Sequence, residues 1–122
     1  MMSISSGNGR LQYLQFLKEL KQKMKEENDN YVLSVTVPAA GISQWEDGFD
    51  LREIVRHVDF FNVFTMDYYG PWPNQWGTAV GPTSPLYGGI NEKKNFNVNY
   101  TMQYYKKETG EPSKLNIVIP FY

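Results

Sequence analysis

The chain has 122 residues, 41% of them hydrophobic, and a formal charge of −1 from 12 basic and 13 acidic side chains. That is enough apolar material for one core of ordinary size, and so even a charge balance excludes an electrostatic case for nucleic acid or an anionic membrane as partner. With no cysteine and one histidine there is no disulfide framework and no Cys- or His-rich metal site; Met1 to Arg10 has no apolar core of a signal peptide, and no run approaches the ~18 apolar residues that span a bilayer.

Leu11, Leu14, Leu17, Leu20 and Met24 recur at helical spacing among lysines, which predicts an amphipathic helix stopped by Asn28-Asp29-Asn30. Tyr31 to Val37 is rich in β-branched residues and closes at Pro38, as a buried strand does. After a loop from Ala39 to Phe49, Leu51, Ile54, Val55 and Val58 form one helical stripe. Asp50 and Glu53 stand in the capping-box positions of that second helix. Phe60 to Met66 is a short apolar run that fits a strand covered on both faces. Residues 67–96 carry Gly, Pro, Trp and Tyr without a period, a length of loop that is usually functional. Asn97 caps a third helix with Val98, Met102 and Tyr105 on one face and Gly110 and Pro112 beyond its end. Leu115 to Ile119 is the third strand. No hairpin joins any two strands, so a parallel sheet with outer helices is expected. Three such strands are less than a whole fold, and the sequence reads as cut at both ends.

Parallel α/β folds carry their sites at strand C-termini. Asp59 precedes its strand and reads as structural, whereas Asp67 follows Met66 and faces the site end. Asp67 leads into Tyr68-Tyr69-Gly70-Pro71-Trp72, a carboxylate beside aromatic rings. That combination suits a polyhydroxylated ring, whose CH faces stack on Trp or Tyr while its hydroxyls donate to the carboxylate. It suits equally an aromatic cluster packed beneath a long loop. Aromatic content is high, with nine Tyr, seven Phe and three Trp. His57 has no nucleophile or carboxylate partner at the strand tips and reads as a surface or helix-end residue.

The run from Phe61 to Trp72, Phe-Asn-Val-Phe-Thr-Met-Asp-Tyr-Tyr-Gly-Pro-Trp, resembles the sixth-strand motif of family 18 glycoside hydrolases, the chitinase and chitinase-like group. In that motif an apolar strand ends Met-Thr-Tyr-Asp and Gly-x-Trp follows. Ser84-Pro85-Leu86-Tyr87 is similar to the Ser-Pro-Leu-Tyr of the same loop, Val35 to Ala39 to the fifth strand ending in Pro-Ala, and Lys114 to Tyr122 to the seventh ending in Pro-Phe-Tyr.

The resemblance implies a partial (β/α)8 barrel over residues 1–122, roughly strands five to seven, taken from a hydrolase domain and directed at chitin or another N-acetylglucosamine polymer. It carries Asp67, Trp72 and Tyr122 over as sugar contacts, with Tyr68 beside them; Trp45 and Trp76 are weaker candidates, since neither falls on a motif position. It implies no cofactor and no metal, and an extracellular setting. The family's acid, the Glu of Asp-x-x-Asp-x-Asp-x-Glu after the fourth strand, has no counterpart in Met1 to Arg10, which holds no Asp or Glu. The family's substrate-assisted chemistry depends on that acid, so no catalytic residue is assigned and the chain alone is expected to be inactive. Met66 stands where the family has a Tyr, and a thioether cannot donate a hydrogen bond to an N-acetyl group. An autonomous carbohydrate-binding or interaction module is the alternative. A flavodoxin-like domain would need a phosphate-cradling turn, whose spacing Gly41 and Gly88-Gly89 do not have.

Overall fold

A computed structural model describes residues 7–73 and 79–122. Its elements are α1 (Gly7–Glu27), β1 (Ser34–Val37), α2 (Leu51–Ile54), β2 (Phe60–Val63), α3 (Val98–Thr109) and β3 (Leu115–Ile117), with short 3-10 turns at Trp45–Gly48, Asn91–Lys93 and Pro112–Lys114. The strands form one parallel sheet in the order β1-β2-β3. Val35 stands opposite Phe61, and Phe61 opposite Leu115, so the largest apolar side chain of the central strand meets apolar neighbours on both sides.

The register decides which face is packed. Val35, Val37, Phe61 and Val63 are buried, as is Thr65, and the four apolar ones make the main core with Leu51, Ile54, Val55, Val58, Leu17 and Tyr105. The other face is not covered as the apolar runs suggest. Ser34 and Thr36 are exposed and Asn62, Phe64 and Met66 are partly so, while Thr36, Asn62 and Asn116 stand in one register row and the Asn116 amide donates to Asn62 Oδ1 at 3.3 Å. Side chains alternate across a strand, so polar residues at every second position of β1 leave that face open.

Two local expectations change. Leu11 is 63% exposed and lies off the packed stripe of Tyr13, Leu14, Leu17, Leu20 and Met24; there α1 meets the loop after β1 through Arg10, which donates to the Asp47 carbonyl at 3.0 Å, and through an edge-to-face contact of Tyr13 with Phe49. The capping box does not close. The Asp50 carbonyl accepts from the amides of Glu53 and Ile54, but its side chain makes no cap bond, because its carboxylate turns to Arg10 at 3.7 Å while Glu53 pairs with Arg56. Lys114 supplies the other end of this segment, donating to the carbonyls of Val55 and Val58 at 2.7 and 3.1 Å, where a cation complements free carbonyls.

The α3 cap holds as expected. Asn97 Oδ1 accepts from the Tyr100 amide at 2.8 Å, and Gly110 closes the helix in the left-handed conformation at φ +68, which glycine takes without strain. The Asn97 amide also donates to the carbonyls of Gly88 and Lys94, tying the long loop to the start of the helix.

Candidate functional site

The strand C-termini open onto a cleft of about 530 Å³. Pro38, Ala39, Ile42 and Trp45 line it from the loop after β1. Phe64, Met66, Asp67, Tyr68, Trp72 and Pro73 line it from the stretch after β2, and Phe96 from the approach to α3. Ala39, Ile42 and Tyr68 of this lining belong to a second apolar cluster completed by Tyr69 and Val98. Parallel strands make this placement natural, since all three end at the same edge of the sheet.

Asp67 is the carboxylate among the lining residues. Its backbone is left-handed at φ 57, a conformation rare for non-glycine residues and more tolerable for Asp. Thr83 holds it there: the Asp67 amide donates to Thr83 Oγ1 at 3.2 Å, the Thr83 hydroxyl donates to Asp67 Oδ1 at 3.1 Å, and the next amide, that of Tyr68, donates to the Thr83 carbonyl. The Tyr122 hydroxyl donates to the same Oδ1. That bond raises the pKa of the Tyr122 phenol above its ordinary value, with burial a smaller cause, because ionising it would set two anions side by side.

The four residues singled out by sequence therefore take different places. Asp67 and Trp72 share the cleft wall, with Trp72 41% exposed. Tyr122 is 79% exposed and joins the site through its bond to Asp67. Tyr68 also lines the cleft, yet it is 1% exposed and its hydroxyl is used inside the protein, donating to the Asn97 carbonyl at 3.1 Å and pairing with Thr101 Oγ1 at 2.8 Å. Burial pushes its phenol up to about 12, against the bond from Thr101.

Trp45, which no motif marks, stands on the same wall and is 53% exposed; the available signal is a tryptophan in a βα loop just past a strand C-terminus. Trp76 lies outside the described residues. Gly70 explains how Trp72 sits: a Cβ at Gly70 would come within 2.6 to 2.8 Å of the Trp72 ring, so the indole lies flat on bare backbone.

Asp59, at the opposite end of β2, is bound structurally. Its Oδ2 accepts from Lys21 Nζ at 2.6 Å and from the Leu33 amide at 2.7 Å, and these bonds, that to Lys21 first, lower its pKa below the ordinary 3.8. His57 lies in a separate hollow with Lys18, Lys21 and Lys25. Among the described residues no group of His, Cys, Asp or Glu could hold a metal ion, and no helix is long and apolar enough to cross a membrane. Chemically, the cleft offers flat apolar rings and, at Asp67, an acceptor.

Comparison with known proteins agrees with this architecture. The family Glycosyl hydrolases family 18 matches residues 3–122, and the chain belongs to that family. It is 30% identical over 91% of its length to the chitinase-like protein Idgf5 of Glossina morsitans morsitans, of which it covers 24%. Among solved structures, the Group IV chitinase of Ostrinia furnacalis superposes with a TM-score of 0.71 at 32% identity over 90% of this chain and 29% of that one. Human YKL-39, described as a pseudo-chitinase with retained chitooligosaccharide binding properties, superposes at 0.78 with 20% identity over 93% and 32%, a likeness of fold. The chain spans between 4% and 24% of the length of the first curated relatives it matches. The three parallel strands with outer helices are a partial α/β barrel of the family's kind.

Proposed function

We propose that the chain binds chitin or chito-oligosaccharide in the cleft at its strand C-termini. The observation that carries this reading is Asp67, a carboxylate held in a strained backbone conformation on a wall otherwise lined by aromatic and apolar side chains. Asp67 accepts from sugar hydroxyl or amide donors, and the half-exposed Trp72 offers its face to the ring. Tyr122 orients the carboxylate, and Tyr68 supports the floor. Support comes from the family match and from the chitooligosaccharide binding named for YKL-39. An extracellular setting belongs to the same reading.

Asp67 Oδ1 accepts from two hydroxyls, those of Thr83 and Tyr122.

The test is calorimetric titration of the chain with the tetramer of N-acetylglucosamine. Asp67→Ala should weaken binding about ten-fold, the loss expected for a hydrogen bond to a charged group; unchanged affinity would remove Asp67 from the site.

A further inference from the structure

Asn99-Tyr100-Thr101 is the one stretch of the 122 residues that reads Asn-x-Ser/Thr without an intervening proline, the pattern in which an asparagine accepts an N-linked glycan. The two ends of this triplet meet opposite fates in the fold. Thr101 is fully buried, and its hydroxyl accepts from the Ala40 amide at 3.2 Å and pairs with the Tyr68 hydroxyl at 2.8 Å. Asn99 is exposed in the first turn of α3. Its backbone amide donates to the Leu86 carbonyl at 3.0 Å, but its side chain has no hydrogen bond among the described residues. Nor is its carboxamide needed as a cap, since Asn97 fills that position. Packing therefore explains Thr101 and leaves Asn99 unexplained.

The ground beside Asn99 is apolar and open. Leu86, Tyr87 and Ile90 are exposed large hydrophobic residues on the segment that the Asn97 side chain and the Asn99 amide tie to α3. Asn99 is not among the residues lining the cleft. We infer that Asn99 is an N-glycosylation site, an inference that rests on the extracellular setting proposed above. In the transfer, the Asn99 carboxamide nitrogen bonds to C1 of an oligosaccharide carried on a polyprenyl diphosphate. The bond from C1 to the diphosphate oxygen breaks, the nitrogen gives up one proton, and the polyprenyl diphosphate leaves. The acceptor pattern requires the hydroxyl two residues on, and in the folded chain that hydroxyl is buried and bonded. Transfer therefore precedes the docking of α3, and the finished helix then carries a bulky, solubilising group on its open side, next to Leu86 and Tyr87.

The experiment translates the 122-residue chain behind a cleavable secretory leader in the presence of endoplasmic-reticulum microsomes. Products are compared on gels before and after peptide-N-glycosidase, and the released peptide is read by mass spectrometry. Wild type should show one enzyme-sensitive step in mobility, with Asp replacing Asn99 in the released peptide. Asn99→Gln and Thr101→Val should abolish the step. Thr101→Ser, which keeps the hydroxyl, should retain it. Val32→Thr completes the same pattern at exposed Asn30 and should add a second step, so it reports entry into the lumen independently. A bare wild type beside a Val32→Thr chain that gains a glycan overturns the site, as does an Asn99→Gln chain that keeps its glycan. Chain folded first and then given to the microsomal enzyme should stay bare, and modification there overturns the order of events. Asn99 that is glycosylated in microsomes yet bare in the protein isolated from its source contradicts the extracellular setting instead.

Discussion

The loops after β1 and β2 line one cleft, yet they are held in opposite ways. The longer one, residues 67–96, is bonded at many points: Thr83 clamps Asp67, Ser84 donates to the Thr65 carbonyl at 2.5 Å, Asn97 reaches back to Gly88, and Lys93 lies over the rings of Tyr69 and Phe96. The shorter one, Ala39 to Asp50, turns through two consecutive left-handed non-glycine residues, Ser43 and Gln44, around one buried carboxylate. The two meet at Thr101 on α3, whose hydroxyl accepts from the Ala40 amide and pairs with the Tyr68 hydroxyl. A long loop can spread its ordering over many weak bonds, whereas a short one concentrates it at one or two atoms, so single substitutions should be felt more sharply in the second.

The largest expected effect removes the floor under both loops. Phe61 is fully buried at the centre of the sheet, and Phe61→Ala should lower stability by about 3–5 kcal/mol, visible in a urea or thermal melt; a small loss would mean that the two loops do not depend on a common core. Next comes the link itself. Thr101→Val leaves the Ala40 amide without its buried acceptor and the Tyr68 hydroxyl with the Asn97 carbonyl alone, and should cost about 1–3 kcal/mol, while Tyr68→Phe, which leaves the Ala40 amide bonded to Thr101, should cost less. Equal losses would break the claim that Thr101 couples the loops.

Gly70→Ala sharpens the comparison without touching the core. A methyl there displaces the Trp72 ring, so tetramer affinity should fall about three-fold or more with little change in melting temperature. The smallest effect lies at the far end of β2. Asp59 is more ionised in the folded chain than its ordinary pKa would make it, so its contribution is present above about pH 4 and disappears as the pH falls through its lowered folded value. Asp59→Asn should melt below wild type at neutral pH and converge with it in acid. The carboxylate is 41% exposed, which keeps the difference modest.

Much of this architecture was legible in the sequence. Helical spacing marks Leu14, Leu17 and Leu20, β-branched runs mark β1 and β2, and Asn97 with Gly110 brackets α3, because each signal is local and backbone-determined. The position of Asp67 just past a strand end placed it at the mouth of the sheet, where the structure has it. Three things were not legible. Runs such as Phe60 to Met66 look covered on both faces, since periodicity cannot say whether anything packs on the second one. The Asp50 cap fails because Arg10, 40 residues away in the chain, takes its carboxylate, and no local pattern reports that competitor. Trp45 falls on no motif position, and the burial of Glu46 and the left-handed backbone of Ser43 and Gln44 are tertiary properties that no local pattern reports.

The central claim is that sugar is held at the strand C-termini around Asp67. Isotope-labelled chain titrated with the N-acetylglucosamine tetramer reports this directly through its amide resonances. Shifts should concentrate at residues 38–45, 64–73 and 83, on the cleft wall and its clamp. Shifts confined to α1 and the hollow around His57, or none at saturating sugar, would contradict it.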